Sequence, residues 1–184
     1  MPEGQQDTYF TELLKLAVVA ALIILPIRFF VAQPFIVSGA SMDPTFASGQ
    51  YLIVDELSYH LGDPARGDVV IFRYPKDPKQ FFIKRVIGLP GETVQIQNGN
   101  VSVTKVDGSV VALDESYVKN LGNGSDMTKK LSDSEYFVMG DNRPESSDSR
   151  TWGTLPRENI VGRAFLRLLP LQNLSIFPGS TVSQ

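Results

Sequence analysis

The sequence predicts a mainly β protein: an antiparallel β-sheet or partly open barrel, a small β extension, and one N-terminal transmembrane helix. Three observations carry that expectation. From about residue 50 onward, branched and aromatic residues recur at alternate positions in short runs, the period of a half-buried strand. Turn pairs punctuate the runs, Asn98-Gly99 and Asp107-Gly108 most clearly. One long apolar run, LLKLAVVAALIILPIRFFV from Leu13 to Val31, precedes them all.

At ~1.5 Å per residue that run nearly spans a ~30 Å hydrocarbon layer, provided Lys15 and Arg28 extend outward along their aliphatic stems. It reads as a membrane anchor over 13–32, with Phe29, Phe30 and Phe35 at the interface. A cleaved secretory signal is the competing reading, because Ser38 and Ala40 are small residues two apart. Against it, the front end is acidic (Glu3, Asp7, Glu12) and the apolar run stops well before those residues. Lys15 and Arg28 lie toward opposite ends, so charge does not set sidedness.

Strands are expected over 50–54, 68–73, 80–87, 93–97, 100–104, 109–113, 135–139 and 160–168, with a polar loop over 113–134. The resulting plan is a tail over 1–12, the anchor, a β-rich domain over 33–178 carrying a short inserted lobe at about 95–134, and a tail over 179–184. A length of 184 residues suits one core of ordinary size.

A formal net charge of -3, with basic residues scattered along the chain, gives no general attraction to nucleic acid. With no cysteine and one histidine, His60, the chain offers no disulfide and no ordinary zinc or iron-sulfur site. No cofactor is expected.

The stretch FIVSGASMDPTF, Phe35 to Phe46, sets Ser41 between small residues and a stiffening Pro44. Serine, glycine and proline together also simply make turns. On a strand through 81–87, Phe82, Lys84 and Val86 share one face and Ile83, Arg85 and Ile87 the other. Burial disfavours the ammonium form, so a lysine held among apolar neighbours becomes a base able to take a proton from a serine hydroxyl. A solvated Lys84-Arg85 pair on an edge strand is the bland alternative. The loop GDNRPESSDSRTWG, 140–153, offers Asp141, Arg143, Asp148 and Arg150 for an ion-pair lattice, and Ser146 or Ser149 to hold an amine. His60, in LSYHLGDP, reads as a surface residue, and the residues around Ser41 do not form the G-x-S-x-G elbow.

In order along the chain, the anchor, SGASMDPTF, GDVVIF, FIKRVIGLPGETV and FVMGDNRPESSDSRTWGTLP resemble the bacterial type I signal peptidase (leader peptidase) family. The resemblance covers Leu13 to about Leu168. It implies a Ser-Lys serine endopeptidase, its catalytic domain on the extracytoplasmic side of the cytoplasmic membrane. Such an enzyme cuts secretory preproteins after small residues at -1 and -3. The implied partners are preproteins bound in extended form, the phospholipid bilayer and the secretion machinery, with no nucleic acid. By motif, Ser41 corresponds to the nucleophile, Lys84 to the general base and Ser146 to the serine that orients the lysine. Asp148 and Arg150 correspond to a supporting ion pair with Asp141 and Arg143 around it.

Two positions depart from the pattern. Gly39 stands where some members place an oxyanion-binding serine, leaving that task to backbone at Ser41 and Gly39. Pro144 replaces a commonly acidic residue. A reading of a different class, an anchored β module that only binds partners, predicts that altering Ser41 changes nothing.

Overall fold

The structure, a computed structural model, describes residues 4–26, 32–122 and 125–180. A helix, α1 (Gly4–Pro26), comes first. Strands β1 (Ala32–Ile36), β2 (Tyr51–Asp55), β3 (Val69–Tyr74) and β4 (Asp77–Gly88) follow, with the short helix α2 (Leu57–Leu61) between β2 and β3. Next come β5 (Thr93–Gln97), β6 (Asn100–Thr104), β7 (Val110–Ala112), β8 (Met127–Lys130) and β9 (Glu135–Met139). Helix α3 (Ser149–Trp152), β10 (Leu155–Pro156), β11 (Ile160–Leu169) and β12 (Ser175–Ile176) complete the chain.

Among the described residues the strands make two antiparallel sheets. An eight-stranded sheet runs β1-β2-β11-β3-β4-β9-β10 with β12 beside β11, and a four-stranded sheet runs β7-β6-β5-β8. The larger sheet does not close into a barrel. Its central strand β3 is buried on both faces, which is why Val69 to Phe72 reads as a continuous apolar run. Val70 and Phe72 pack with Val86, Val138 and Trp152, whereas Val69 and Ile71 pack with Met42, Phe46 and Val54. A third cluster, including Ile87, Val94, Val103 and Phe137, joins the two sheets.

The transmembrane helix expected over 13–32 is not shown. No helix among the described residues is long and apolar enough to cross a membrane. Helix α1 begins among polar residues at Gly4, and its apolar part, 13–26, is only about 21 Å long at 1.5 Å per residue. Residues 27–31 of the expected span lie outside the described residues. Leu13, Leu16 and Leu22 on α1 are all more than half exposed.

Four strands lie outside the expected ranges: β1, β8 and the two-residue β10 and β12. The loop expected over 113–134 contains β8, whose alternate half-buried positions pair with β5. Strand β1, which no expected strand covers and which holds the Phe35 expected at the interface, pairs with β2 from Ala32↔Asp55 to Ile36↔Tyr51.

Candidate active site

Ser41 opens a tight turn, in which the Asp43 N–H donates to Ala40 O (3.1 Å) and the Phe46 N–H to Met42 O (2.9 Å). Met42 and Phe46, both fully buried, plug that turn into the core beside Ile71. From the other side, the Asn142 N–H donates to Ser41 O at 3.0 Å and the Asn142 side-chain amide to Ala40 O at 3.0 Å. The serine is thereby fixed between a hydrophobic plug and the 140–153 loop.

Lys84 reaches it from β4, opposite Val70 in the sheet. Its Nζ lies 2.7 Å from Ser41 Oγ, 2.9 Å from Ile83 O and 5.4 Å from the centre of the Phe82 ring. Lys84 is 4% exposed. Burial pushes its pKa down from 10.5 to about 8, against an opposing pull from the charges of Asp148 and Asp141.

Three separate ion pairs surround the two groups. Asp148, wholly buried at the start of α3, accepts the Gly140 N–H at 3.0 Å and Arg150 Nε and Nη2 at 2.8 Å each. Asp141 is gripped by Arg85 through Nε (2.8 Å) and Nη2 (2.6 Å), and it accepts the Thr45 hydroxyl. Arg143 pairs with Glu115, while its Nε donates to Gly140 O at 3.1 Å. The lattice expected within 140–153 is therefore corrected: only Asp148 and Arg150 pair with each other, and the other two members take partners from distant elements. Glu115 and Tyr117, whose ring lies 3.9 Å from the Arg85 guanidinium carbon, were absent from the sequence reading, and Arg85 entered it only as a strand neighbour of Lys84, not as a site residue. The available signal was Arg85 itself, since a charge in an apolar strand must find a buried partner.

Ser146 lies beside the serine turn without a hydrogen bond to Lys84. Its Oγ is buried and unpartnered among the described residues. A Cβ on Gly140 would stand 2.3 Å from that Oγ and 2.4 Å from Ser41 O, so only glycine permits this approach. The Gly39 N–H faces Ser48 Oγ at 3.4 Å. His60 sits exposed on α2, its Nδ1 2.9 Å from Glu56 O. Among the described residues no group of three His, Cys, Asp or Glu is placed to hold a metal ion.

A groove of about 110 Å³ opens beside Lys84, lined by Phe35 to Ser38, Leu52, Ile71 and Phe81 to Ile83. Phe35 and Phe81 meet edge to face at 5.4 Å across it. Strand β4 pairs with β9 only from Arg85 onward, and β1 ends the sheet, so both strands present unpaired edges here among the described residues.

A hydroxyl in hydrogen-bond contact with a buried amine of lowered pKa, at the mouth of an apolar groove with free strand edges, suits acyl transfer on an extended peptide. The chain belongs to the family described as signal peptidase, peptidase S26, whose sequence profile matches residues 10–169. It is 40% identical to the probable signal peptidase I-1 of Synechocystis sp. over 88% of this chain and 84% of that one. It is 38% identical to the signal peptidase I of Leptolyngbya laminosa over 94% and 86% of the respective chains. Among solved structures, a signal peptidase I from Enterococcus faecalis V583 is 32% identical, with a TM-score of 0.47, covering 55% of this chain and 97% of that one.

Proposed function

We propose that this protein is a membrane-bound serine endopeptidase that removes N-terminal signal peptides from secreted preproteins, with Ser41 as nucleophile and Lys84 as general base. The 2.7 Å contact between Lys84 Nζ and Ser41 Oγ is the observation that supports it best. In this reading the neutral Lys84 accepts the hydroxyl proton as Ser41 Oγ attacks the scissile carbonyl. The protonated amine then gives that proton to the departing amide nitrogen. Water, activated by the same amine, hydrolyses the ester left on Ser41. The Ser41 N–H stabilises the oxyanion, since Gly39 brings no side chain to the task.

The preprotein binds extended between the free edges near Val37 to Gly39 and Phe81 to Ile83. The small volume of the groove favours alanine-sized side chains at -1 and -3 and rejects larger ones by overlap. Ser146 serves as the orienting hydroxyl, moving onto Lys84 when the amine changes protonation, while Asp148 and Arg150 hold the loop that carries it.

Anchoring through the apolar N-terminal segment, with the β body on the extracytoplasmic side, is part of the same reading. Ile36, Tyr51 and Leu169, adjacent in register, are exposed together with Leu171 and Leu174. Such a surface suits a lipid boundary beside the secretion machinery. The test is cleavage of a preprotein by Ser41→Ala and Lys84→Ala, each expected to lose on the order of a thousandfold in rate. Near-normal cleavage by either variant rules the dyad out.

A further inference from the structure

The segment after β11 turns back along the sheet to the rear of the serine turn. It includes β12 and Gly179, and it lies beyond the 10–169 span matched by the family profile. Strand pairing of β12 with β11 starts the docking, at Arg167↔Ser175 and Leu166↔Ile176. Phe177 then lodges against Phe165 at 5.2 Å, with the Arg163 guanidinium over its ring at 4.4 Å. Pro178 is buried.

Two bridges run from this segment to Thr45, four residues after Ser41. In the first, Gly179 O accepts a hydrogen bond from Arg85 Nη1, and the same guanidinium grips Asp141, which accepts the Thr45 hydroxyl. In the second, Arg167 Nη1 donates to Thr45 O at 2.8 Å while its Nε donates to Asn173 O at 3.0 Å and to Ser175 Oγ at 3.3 Å. Arg85 is 1% exposed, so the Gly179 carbonyl satisfies a donor that water does not reach. Contact is also direct. At Gly179, φ is +76°, and an added Cβ would stand 2.5 Å from Thr45 Cγ2 and 3.1 Å from Phe46 Cε2.

We propose that residues 175–179 are a positioning element for the reaction, fixing Thr45 and Phe46 from behind so that Ser41 keeps its place against Lys84. The proposal rests on Ser41 being the nucleophile. The partners named for this segment, Thr45, Phe46, Arg85 and residues of β11, do not line the groove, so its loss acts on turnover and leaves substrate capture alone.

The test uses the full chain in detergent with a preprotein substrate. Gly179→Ala is expected to lower kcat by about tenfold or more while KM stays within about twofold. The same substitution in a Thr45→Ser background, which keeps the hydroxyl on Asp141 and removes the obstructing methyl, is expected to cost at least about threefold less. An unchanged kcat in folded Gly179→Ala, an effect confined to KM, or an equal loss in both backgrounds overturns the proposal. If Gly179→Ala does not fold, the chain ending at Leu174 is measured instead. Folded with lowered kcat and unaltered KM, it supports the proposal; folded with normal kcat, it overturns it. Failure of both to fold also overturns it, because the segment would then hold the whole body together. Ser41→Ala run in parallel separates the two readings: activity retained there defeats the dyad, whereas activity lost there with Gly179→Ala unimpaired defeats only the positioning role.

Discussion

The rate of cleavage should follow the protonation of Lys84, and the structure fixes where. Desolvation is the largest influence on this amine, and it outweighs the charges of Asp148 and Asp141 to leave the pKa at about 8 instead of 10.5. In the proposed dyad only the neutral form of Lys84 accepts the Ser41 proton. With a pKa near 8, about a tenth of the enzyme is competent at pH 7, half at pH 8 and about nine tenths at pH 9, so kcat/KM climbs roughly tenfold between pH 7 and 9 and then levels. An amine left at 10.5 would instead give roughly a hundredfold rise over the same range with no plateau. The assay is steady-state cleavage of a short preprotein-derived peptide from pH 6 to 10, with melting curves at each pH to separate catalysis from unfolding. A rate indifferent to pH between 6 and 9 refutes the lysine as base. A slope of one still running at pH 9.5 refutes the burial argument.

Asp141→Asn leaves the Arg85 guanidinium buried against a neutral amide. It should cost about 3–5 kcal/mol in chemical denaturation, and a loss under about 1 kcal/mol would mean Arg85 finds water or another acceptor. Gly140→Ala forces a methyl into the space between Ser146 Oγ and Ser41 O and should lower kcat on the order of a hundredfold with native near-ultraviolet dichroism. Normal turnover would show that the loop yields without moving Ser41. Lys84→Met should abolish cleavage yet raise stability at pH 7. The unfolded lysine holds its proton up to 10.5 and the folded one only to about 8, a penalty on the order of 3 kcal/mol that is full below pH 8 and gone above 10.5. After loss of the hydrogen bond to Ser41, a gain of about 1–2 kcal/mol should remain at pH 7, vanish between about pH 9 and 10, and turn into a net loss above that; no gain at pH 7 counts against the buried-charge account.

Strands β5, β6 and β9 were legible to the residue because β5 and β6 alternate strictly, β9 is a short continuous apolar run, and all three are bracketed by turn residues that fix both ends. Strand β8, MTKK, carries no apolar alternation that marks a strand by itself; it exists because β5 offers an edge, which no local pattern announces. Likewise Ser41 and Lys84 could be singled out from their neighbours, one by small residues and a proline, the other by apolar flanks on a strand. The choice of ion-pair partners could not. Asp141 stands two residues from Arg143 in sequence but meets Arg85 across 56 positions, since β4 and β9 lie side by side with Arg85 opposite Met139. Charge pairing over such separations is decided by strand register, and register is a property of the assembled sheet.

The open seam between β1 and the first half of β4 follows from the same assembly and carries a cost. Phe35 and Phe81 bring the two strands within ring contact, yet no backbone pairing joins them among the described residues, so the sheet stops one strand short of closure there. Unpaired edges invite association with other chains. Here the exposed edge is led by Lys79 and Gln80 before it turns apolar at Phe81, and charge at that point discourages a flat, unselective pairing partner. In the function proposed above, an extended peptide with small side chains enters from the Ser38 side. It would supply the missing strand and bring its own backbone alongside Ser41. Direct closure of β1 on β4 would satisfy the same hydrogen-bonding groups permanently, and the serine would then face its own sheet with no room for a scissile bond.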